Sequence, residues 1–402
     1  MKEKILILGG GVSGKAAALL AEKMGASPFI LNDGDDAPFP ADARMIVTSP
    51  GVHPLRSQLY KAAQGSGKEF ISEMEYGFRH FKGRVAAITG TNGKTTTTEL
   101  TVFLLNEAGF NAVGAGNIGL PLSEVAAQEN QPDIAVVEVS SFQLELVETF
   151  APCCAALLNL ESDHEDRYAG GFEEYCAVKK KIFDRVPAGN QIYGLSFANA
   201  PRRVTYENDM LCIDGKALLD VTQTALSAPH NRENLAAAAE LFLRLAPEKL
   251  SQLPEAVKKF RCGKHRIELF HEAQGKRFYD DSKGTNPAAV AAAVNAVPGK
   301  VVLLAGGLDK GMDFSILSTV AHRVRMAVLC GQCREPIARV FRKAGVPLRD
   351  CGTDFEHAVD TALHAACNGD SVLLSPGCAS MDMFKNYQER GEKFKSLILK
   401  KI

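Results

Sequence analysis

The sequence lacks an excess of either charge, and it lacks any apolar run long enough to cross a bilayer. Its 46 lysine and arginine residues nearly balance 47 aspartate and glutamate residues, which leaves a formal net charge of -1. So small a charge gives no electrostatic basis for binding nucleic acid or an acidic membrane surface, and we expect neither partner. A membrane-spanning helix needs about 20 consecutive apolar residues, and the sequence contains no such run.

The N-terminus also lacks the long apolar core of a secretory signal peptide, because Met1–Lys4 lead directly into a strand-like stretch at residues 5–8. The 10 cysteines are mostly scattered in apolar surroundings, as is typical of reduced thiols in a cytosol. Cys330 and Cys333 form a C-x-x-C pair, but no second pair follows at zinc spacing, so a redox or metal role is the minor alternative. These absences predict a cytoplasmic protein, most simply an enzyme.

Strand-like and helix-like stretches alternate along the chain, which predicts an α/β protein with parallel sheets. A chain of 402 residues exceeds what one hydrophobic core supports. We therefore predict three α/β domains, over residues 1–81, 82–263 and 264–402. The predicted strands include residues 5–8, 29–31, 45–47, 85–88, 135–139, 155–159, 301–305, 326–329 and 371–374, and the predicted helices include 14–24, 99–105, 287–295 and 355–366.

Residues 90–95, Gly-Thr-Asn-Gly-Lys-Thr, lie between an apolar strand and a helix-like stretch. Glycines in such a loop let backbone N–H groups face an anion, and the helix N-terminus adds its positive dipole. Lys94 would reach the terminal phosphates, and the Thr95 hydroxyl would bind Mg²⁺. The alternative is an ordinary glycine turn, but the strand and helix on either side favour a nucleoside triphosphate site.

A second glycine-rich loop, at residues 9–14, matches G-x-G-x-x-G between a strand and a helix. Asp33 follows about 20 residues later, as in dinucleotide-binding folds. The loop itself indicates only a cradle for a pyrophosphate, which UDP carries as well as NAD. Two phosphate sites on different domains suggest that one holds ATP and the other a nucleotide-linked substrate. NAD(P) binding and an unliganded structural turn remain the alternatives.

Three further side chains are candidates for a metal centre. Glu138 ends a strand in the same predicted domain as the phosphate loop, where a carboxylate is well placed to hold Mg²⁺. His164 lies in an acidic stretch after the next strand and is either a ligand or a structural loop residue. Lys179 belongs to a run of three lysines, 179–181, and such a run is usually a solvated helix face. Spacing alone leaves both interpretations open for His164 and for Lys179.

Several motifs together resemble the Mur ligases of peptidoglycan precursor assembly, and the resemblance covers the chain from end to end. In the first two-thirds of the chain they are residues 49–51, 90–95, 114–119, Glu138 with 140–144, 162–164, and His230-Asn231 with Asn234. In the last third they are residues 281–286 and 375–387, followed by Arg390-Gly391. The C-terminal motifs are similar to those of the family member that adds D-glutamate.

The resemblance implies a Rossmann-like domain that binds the UDP-linked substrate, a central P-loop ATPase-like domain with a mainly parallel sheet, and a Rossmann-like amino-acid-binding domain. The implied ATP contacts are Gly90, Thr91, Asn92, Gly93, Lys94, Thr95, Thr96, Asn231, Asn234, Arg266 and Asp281. The implied contacts of the UDP-linked substrate are Val12, Ser13, Asn32, Asp33, Ser49, Pro50, Gly51, Asn117 and His164. The implied D-glutamate contacts are Lys283, Thr285, Lys310, Ser380, Met381 and Tyr387.

The same resemblance implies two Mg²⁺ ions, held by Thr95, Glu138, His164 and Lys179. Lys179 would carry a carboxylated Nζ, and Lys94, His164 and Lys179 would be the catalytic residues. The expected reaction is ATP-dependent: the carboxylate of UDP-N-acetylmuramoyl-L-alanine is phosphorylated to an acyl phosphate, which the amine of D-glutamate attacks. We expect a cytoplasmic monomer.

Three alternatives to this function stay open at this point. The first is another amide ligase of the same kind, either a different Mur ligase or a folylpolyglutamate-type enzyme. The second is an NAD-dependent oxidoreductase, which residues 9–14 and Asp33 would serve. The third is a nucleotide-dependent partner protein without enzymatic activity.

Overall fold

The computed structural model describes residues 2–35, 39–40, 42–161, 167–261, 263–309 and 311–402. The protein is an α/β fold, and its contacts divide it into two compact units, Met1–Phe260 and Arg261–Ile402. Three of its four sheets are wholly or mainly parallel, so the prediction of an α/β fold with parallel sheets is confirmed. None of the described helices is both long and apolar enough to span a membrane.

The first unit opens with a four-stranded parallel sheet in the order β2-β1-β3-β4. Its strands are β1 (Lys4–Leu8), β2 (Ser27–Leu31), β3 (Met45–Thr48) and β4 (Glu69–Ser72), and its helices are α1 (Val12–Lys23), α2 (Gln58–Gly65) and α3 (Glu73–His80). Side chains alternate between the two faces of β1. Ile5 and Ile7 therefore join the core beneath α1, while Leu6 and Leu8 join a second core on the opposite face.

The first unit continues with a five-stranded parallel sheet in the order β6-β7-β5-β8-β9, with β5 at its centre. Its strands are β5 (Arg84–Thr89), β6 (Ala112–Gly116), β7 (Ile134–Glu138), β8 (Cys154–Leu157) and β9 (Gln191–Tyr193). The helices of this region are α4 (Lys94–Glu107), α5 (Leu122–Ala126), α6 (Ser141–Leu144), α7 (Gly171–Lys180), α8 (Pro229–Leu245) and α9 (Leu253–Lys259). Strands β5, β7 and β8 are nearly continuous runs of buried small and branched residues, as expected for a parallel sheet covered on both faces.

A small antiparallel sheet of β10 (Val204–Glu207), β11 (Met210–Ile213) and β12 (Lys216–Asp220) completes the first unit. None of the strands predicted from the sequence belongs to this sheet. Its turns are marked by Asn208 and by Asp214-Gly215, which have positive φ angles. These strands have only four or five residues, which is too short for an alternation of apolar and polar side chains to distinguish them from the surrounding loops.

The second unit contains a six-stranded sheet in the order β13-β14-β18-β15-β16-β17. Its strands are β13 (Glu268–Ala273), β14 (Lys276–Asp280), β15 (Val301–Ala305), β16 (Val324–Leu329), β17 (Leu348–Asp350) and β18 (Ser371–Leu374), and its helices are α10 (Pro287–Ala296), α11 (Arg334–Lys343), α12 (Phe355–Ala365) and α13 (Tyr387–Lys401). Only β13 runs antiparallel, and it reaches β14 through a tight turn at Gln274-Gly275. Loops 281–286 and 375–380 follow β14 and β18, which are neighbouring parallel strands, so both loops leave the same edge of the sheet.

One hydrophobic core inside the first unit spans both of its parallel sheets. Ile7 and Val47 of the first sheet belong to the same buried cluster as Val85 and Val137 of the second. The predicted division of this unit near residue 81 therefore stays a prediction.

Candidate active site

The predicted phosphate loop lies between β5 and α4, at the carboxyl end of the central strand. Gly90 and Gly93 have φ angles of 154° and 82°, which disfavour residues that carry a Cβ atom. A Cβ on Gly93 would also lie 2.3 Å from Oδ1 of Asn234. Helix α4 begins at the next residue, Lys94, so its first backbone N–H groups face the loop. This arrangement suits a phosphate group.

The Lys94 side chain folds back over this loop. Its Nζ donates to the carbonyl oxygens of Gly90, at 2.9 Å, and of Thr91, at 2.8 Å. Both acceptors are neutral, and a phosphate oxygen would be the stronger acceptor for an ammonium group. Thr95 and Thr96 are buried in the first turn of α4. Lys94 thus places a cation at the N-terminus of α4.

Glu138, the predicted magnesium ligand, ends β7 directly beside the strand that leads into the loop. It is 2% exposed. Its Oε1 accepts a hydrogen bond from Nδ2 of Asn117 at 2.8 Å, whereas its buried Oε2 has no hydrogen-bond partner among the described residues. A buried carboxylate oxygen left unpaired is costly, and a hard cation such as Mg²⁺ would satisfy it. Glu138 therefore fits a metal ligand, and Asn117 lies at this carboxylate.

Lys179 reaches the same loop from α7. Its side chain is 2% exposed, and its Nζ donates to the carbonyl oxygen of Gly90 at 2.9 Å and contacts Oγ1 of Thr89 at 3.4 Å. Lys180 is exposed, and Nζ of Lys181 donates to the backbone of Glu145 at 3.2 Å. The lysine run is therefore not a uniform solvated face, because one of its three side chains points into the phosphate loop.

Two of the predicted residues, His164 and Lys310, lie outside the described residues. Asn231 and Asn234, the predicted adenine contacts, lie on α8. Nδ2 of Asn234 donates to Oδ1 of Asn231 at 3.3 Å, and Oδ1 of Asn234 accepts from Thr97 on α4 at 3.3 Å. The structure thus brings both asparagines to the helix that carries the phosphate loop.

The glycine loop at residues 9–14 lies at the carboxyl end of β1. A Cβ on Gly14 would lie 1.8 Å from the carbonyl oxygen of Gly9, so this position tolerates only glycine. Oγ of Ser49 donates to the same carbonyl at 2.9 Å, and Oδ1 of Asn32 accepts from the backbone N–H of Gly10 at 2.7 Å. Asn32 and Ser49, two of the residues predicted to bind the UDP-linked substrate, thus meet this loop where β2 and β3 end, whereas Asn117 lies at Glu138.

Val12 and Asp33, two of the residues predicted to bind the UDP-linked substrate, differ in how freely their side chains could contact a ligand. Val12 begins α1 and is 72% exposed, although it is apolar. Asp33 already accepts hydrogen bonds from Oγ of Ser57, at 2.8 Å, and from the backbone of Leu59, at 3.4 Å, so it also holds the start of α2.

In the second unit, Asp281 lies directly after β14 and is buried. Its Oδ2 accepts from Oγ of Ser375 at 2.6 Å, and its Oδ1 from the backbone of Ile267 at 3.3 Å. Burial raises the pKa of Asp281 to about 7, although the charge of nearby Arg266 opposes this. Nε of Arg266 is buried without a hydrogen-bond partner among the described residues, which suits an anionic ligand.

The predicted D-glutamate residues lie on the loops after β14 and β18 and at the start of α13. Nζ of Lys283 lies 5.4 Å from the centre of the Tyr387 ring, within the range of a cation–π contact. Ser380 is buried, Met381 is mostly exposed and Thr285 is partly buried. The structure thus brings Lys283 and Tyr387 together.

Two buried groups beside these loops, His265 and Arg390, received no role from the sequence, although Arg390 belongs to one of the family motifs. Nδ1 of His265 lies 2.6 Å from Oδ2 of Asp280, and the backbone oxygen of His265 accepts from the N–H of Lys283 at 3.1 Å. Arg390 is almost fully buried, at 1% exposure. The spacing of Arg390 to Phe394 and Leu397 on α13 places all three on one helix face, and this pattern is the signal that could have revealed the burial.

The C-x-x-C pair lies between β16 and α11. Cys330 and Cys333 are both buried, and burial raises the pKa of the Cys330 thiol. Among the described residues, one group of metal-ligating side chains converges, namely His265, Glu268 and Asp280. Nζ of Lys395 lies 3.2 Å from Glu268 and 3.8 Å from Asp280 and already supplies the positive charge there.

Comparison with known proteins agrees with this geometry. Residues 88–208 match the model of the Mur ligase middle domain, and residues 265–378 match that of the Mur ligase glutamate ligase domain. The chain is 34% identical to the UDP-N-acetylmuramoylalanine--D-glutamate ligase of Caldanaerobacter subterraneus subsp. tengcongensis over 99% of each chain. It is 36% identical to the ligase of the same name from Aquifex aeolicus over 98% of each chain.

The chain belongs to the Mur ligase family. A solved structure agrees at the level of the fold: the UDP-N-acetylmuramate-alanine ligase MurC of Thermotoga maritima matches with a TM-score of 0.65, over 99% of this chain and 100% of that one, at 16% identity. The sequence motifs predicted a Mur ligase, and these comparisons confirm that prediction. The oxidoreductase alternative, which depended on residues 9–14, gains no support.

Proposed function

We propose that this Mur ligase adds D-glutamate to UDP-N-acetylmuramoyl-L-alanine, with conversion of ATP to ADP and phosphate. The observation that carries this proposal is the end-to-end similarity to relatives whose names state that UDP-linked substrate and that amino acid. The similarity includes the C-terminal unit, in which the predicted D-glutamate residues lie. A location in the cytoplasm, where such nucleotide-linked precursors are made, is part of the proposal.

In the proposed reaction, the substrate carboxylate attacks the γ-phosphate of ATP to give an acyl phosphate, and the amine of D-glutamate then attacks the acyl carbon. Phosphate leaves from the tetrahedral intermediate. The chain's task is to position the reactants and to stabilise charge, and it needs no covalent intermediate with the protein. Lys94 and the N-terminus of α4 would hold the phosphates, because both are positive and face the loop.

Magnesium ions, when bound, would neutralise the phosphate charges that otherwise repel the incoming carboxylate. Thr95 and Glu138 are the proposed ligands of one ion, and the unpaired Oε2 of Glu138 supports this choice. His164 and a carboxylated Lys179 are the proposed ligands of a second ion.

The test is an assay of phosphate release with ATP, Mg²⁺ and UDP-N-acetylmuramoyl-L-alanine. We expect release with D-glutamate and little with L-glutamate, D-alanine or lysine. Release that instead requires UDP-N-acetylmuramate with L-alanine, or a folate with glutamate, would assign the chain to one of the alternative ligases. Absence of release with every acceptor would contradict a ligase function.

A variant isolates the role of the phosphate loop. Lys94→Ala should lower kcat by about 100-fold or more, because one electrostatic contact to the reacting phosphates is lost. Lys180→Ala removes an exposed lysine and is the matched control, with activity near that of the parent. A Lys94→Ala enzyme with normal phosphate release would overturn the assignment of this loop.

A further inference from the structure

Arg390 makes an unusual set of contacts for a buried cation. Its Nε donates to Oγ of Ser282 at 3.0 Å, and one terminal nitrogen donates to the carbonyl oxygen of Ser282 at 2.8 Å. Both terminal nitrogens also donate to the carbonyl oxygen of Cys378 at 3.2 Å. Every acceptor in these four hydrogen bonds is a neutral oxygen. In the part of the chain that the structure describes, the guanidinium group is therefore buried without a carboxylate among its hydrogen-bond partners.

Such an arrangement costs free energy, because the charge leaves water and the nearby carboxylates of Asp280, Asp281 and Asp382 favour it only through space, without a direct hydrogen bond. Burial lowers the pKa of Arg390 to about 10, which still leaves the group charged at neutral pH. Helix packing does not call for a cation here, because Phe394 and Leu397 bury the same face of α13 with apolar side chains. Apolar packing of α13 therefore does not account for the hydrogen bonds of the guanidinium group.

The acceptors belong to two different loops. Ser282 lies in the loop after β14, between Asp281 and Lys283, and Cys378 lies in the loop after β18, two residues before Ser380. Oγ of Ser282 also donates to the backbone oxygen of Tyr387 at 2.8 Å. One guanidinium group thus connects both loops and the first residue of α13.

We infer that Arg390 is a positioning residue for D-glutamate, because its contacts set the spacing between Lys283 and Ser380. A planar guanidinium holds several acceptors in fixed directions, which the single ammonium of a lysine does not do. The inference rests on the proposed function, which assigns D-glutamate to these loops.

The kinetic test uses Arg390→Lys, which keeps the charge but loses the planar fork, and Arg390→Met, which keeps an apolar stem. We expect the KM for D-glutamate to rise by about 10-fold to 100-fold in both variants, because small displacements of binding groups have large effects. The KM for the UDP-linked substrate should stay within about two-fold, because its predicted contacts belong to the first unit and make none of the hydrogen bonds of Arg390. Lys393→Met removes an exposed cation from the same helix and is the control. Its KM values for both substrates should equal those of the parent enzyme.

Hydrogen exchange of the unliganded protein gives a readout that does not depend on activity. Amides of residues 281–286 and 375–380 should exchange faster in Arg390→Lys, whereas those of β15 and β16 should not change. A D-glutamate KM that stays normal in Arg390→Lys, or loop exchange that stays at the parent rate, overturns the role of Arg390. A parent enzyme that releases no phosphate with D-glutamate overturns the proposed function instead, and loop exchange then still shows whether Arg390 holds the two loops.

Discussion

At the scale of single residues, two lysines converge on one carbonyl oxygen. Nζ of Lys94 and Nζ of Lys179 each donate to the oxygen of Gly90 at 2.9 Å. Two ammonium groups this close repel each other. Carboxylation of Lys179 would remove that repulsion and provide oxygen ligands for Mg²⁺. The crowding therefore supports the prediction that Lys179 is modified.

We predict that Lys179→Ala loses most ligase activity, by about 100-fold, because a charged group at the reacting phosphates is removed. Acetate or formate in the assay should restore part of the activity by occupying the place of the carbamate. Lys180→Ala is the control and should stay near the parent, as exposed substitutions usually do. Equal activities of the Lys179 and Lys180 variants, or no rescue by a small carboxylate, would contradict the prediction.

At the scale of elements, α3 and α5 are joined by an unusually close contact. Oε1 of Glu73 accepts from the backbone N–H of Ser123 at 2.8 Å, and Oγ of Ser123 donates to the backbone oxygen of Glu73 at 3.1 Å. Gly77, one turn later on α3, permits the approach, because a Cβ there would lie 2.5 Å from the Ser123 nitrogen. The two helices thus pack backbone to backbone.

Gly77→Ala should lower the free energy of unfolding by about 1–3 kcal/mol, since a methyl group placed against backbone atoms forces the helices apart. Gly65→Ala is the matched control: Gly65 ends α2, and a Cβ there would have no neighbour within 4 Å. That control should be neutral or stabilising by less than about 1 kcal/mol. Urea denaturation of both variants measures the difference. Equal stabilities would show that α3 and α5 separate without cost.

At the scale of the whole molecule, each compact unit contains a buried carboxyl group. Burial raises the pKa of Glu73 in the first unit and of Asp281 in the second, each to about 7. The unfolded chain would ionise both groups at a lower pH, near their ordinary values of 4.5 and 3.8. Folding therefore takes up protons between those values and pH 7, and stability falls as the pH rises through that range.

We predict that the parent loses stability from pH 5 to pH 8 more steeply than Glu73→Gln, which stays neutral at both values. One carboxyl group contributes at most roughly 1.4 kcal/mol for each pH unit between its two pKa values. Glu129→Gln changes an exposed carboxyl group and should keep the slope of the parent. Chemical denaturation at the two pH values gives the slopes. An unchanged slope in Glu73→Gln would show that Glu73 is ionised throughout.

The glycine loop of the first sheet gives a prediction about ligands. UDP should raise the melting temperature and slow proteolysis near residues 9–14 and 49–51, because a ligand of the native state alone stabilises that state. At 100 times its Kd, the stabilisation would be about 2.7 kcal/mol. NAD(H) at the same concentration should have no comparable effect. Equal protection by NAD(H) would favour a dinucleotide site.

Local patterns predicted much of the fold and part of the candidate site. The apolar runs predicted as strands at residues 5–8, 135–139 and 301–305 correspond to the buried parallel strands Lys4–Leu8, Ile134–Glu138 and Val301–Ala305, because such strands need apolar side chains on both faces. The phosphate loop at residues 90–95 was recognisable because its geometry depends on adjacent residues. The antiparallel sheet of β10–β12 and the hairpin of β13 and β14 escaped prediction, since their short strands carry little periodicity.

The sequence by itself determined the alternating α/β order, the glycine turns before α1 and α4, and the family, because each depends on residues near one another in the chain. The family resemblance singled out Lys179 of the run at 179–181, but only the tertiary structure showed that its Nζ reaches Gly90 and that Oε2 of Glu138 has no hydrogen-bond partner among the described residues. The tertiary structure also decided that Arg390 holds Ser282, a residue 108 positions away. Contacts over such separations depend on how strands and loops assemble, which no local pattern specifies.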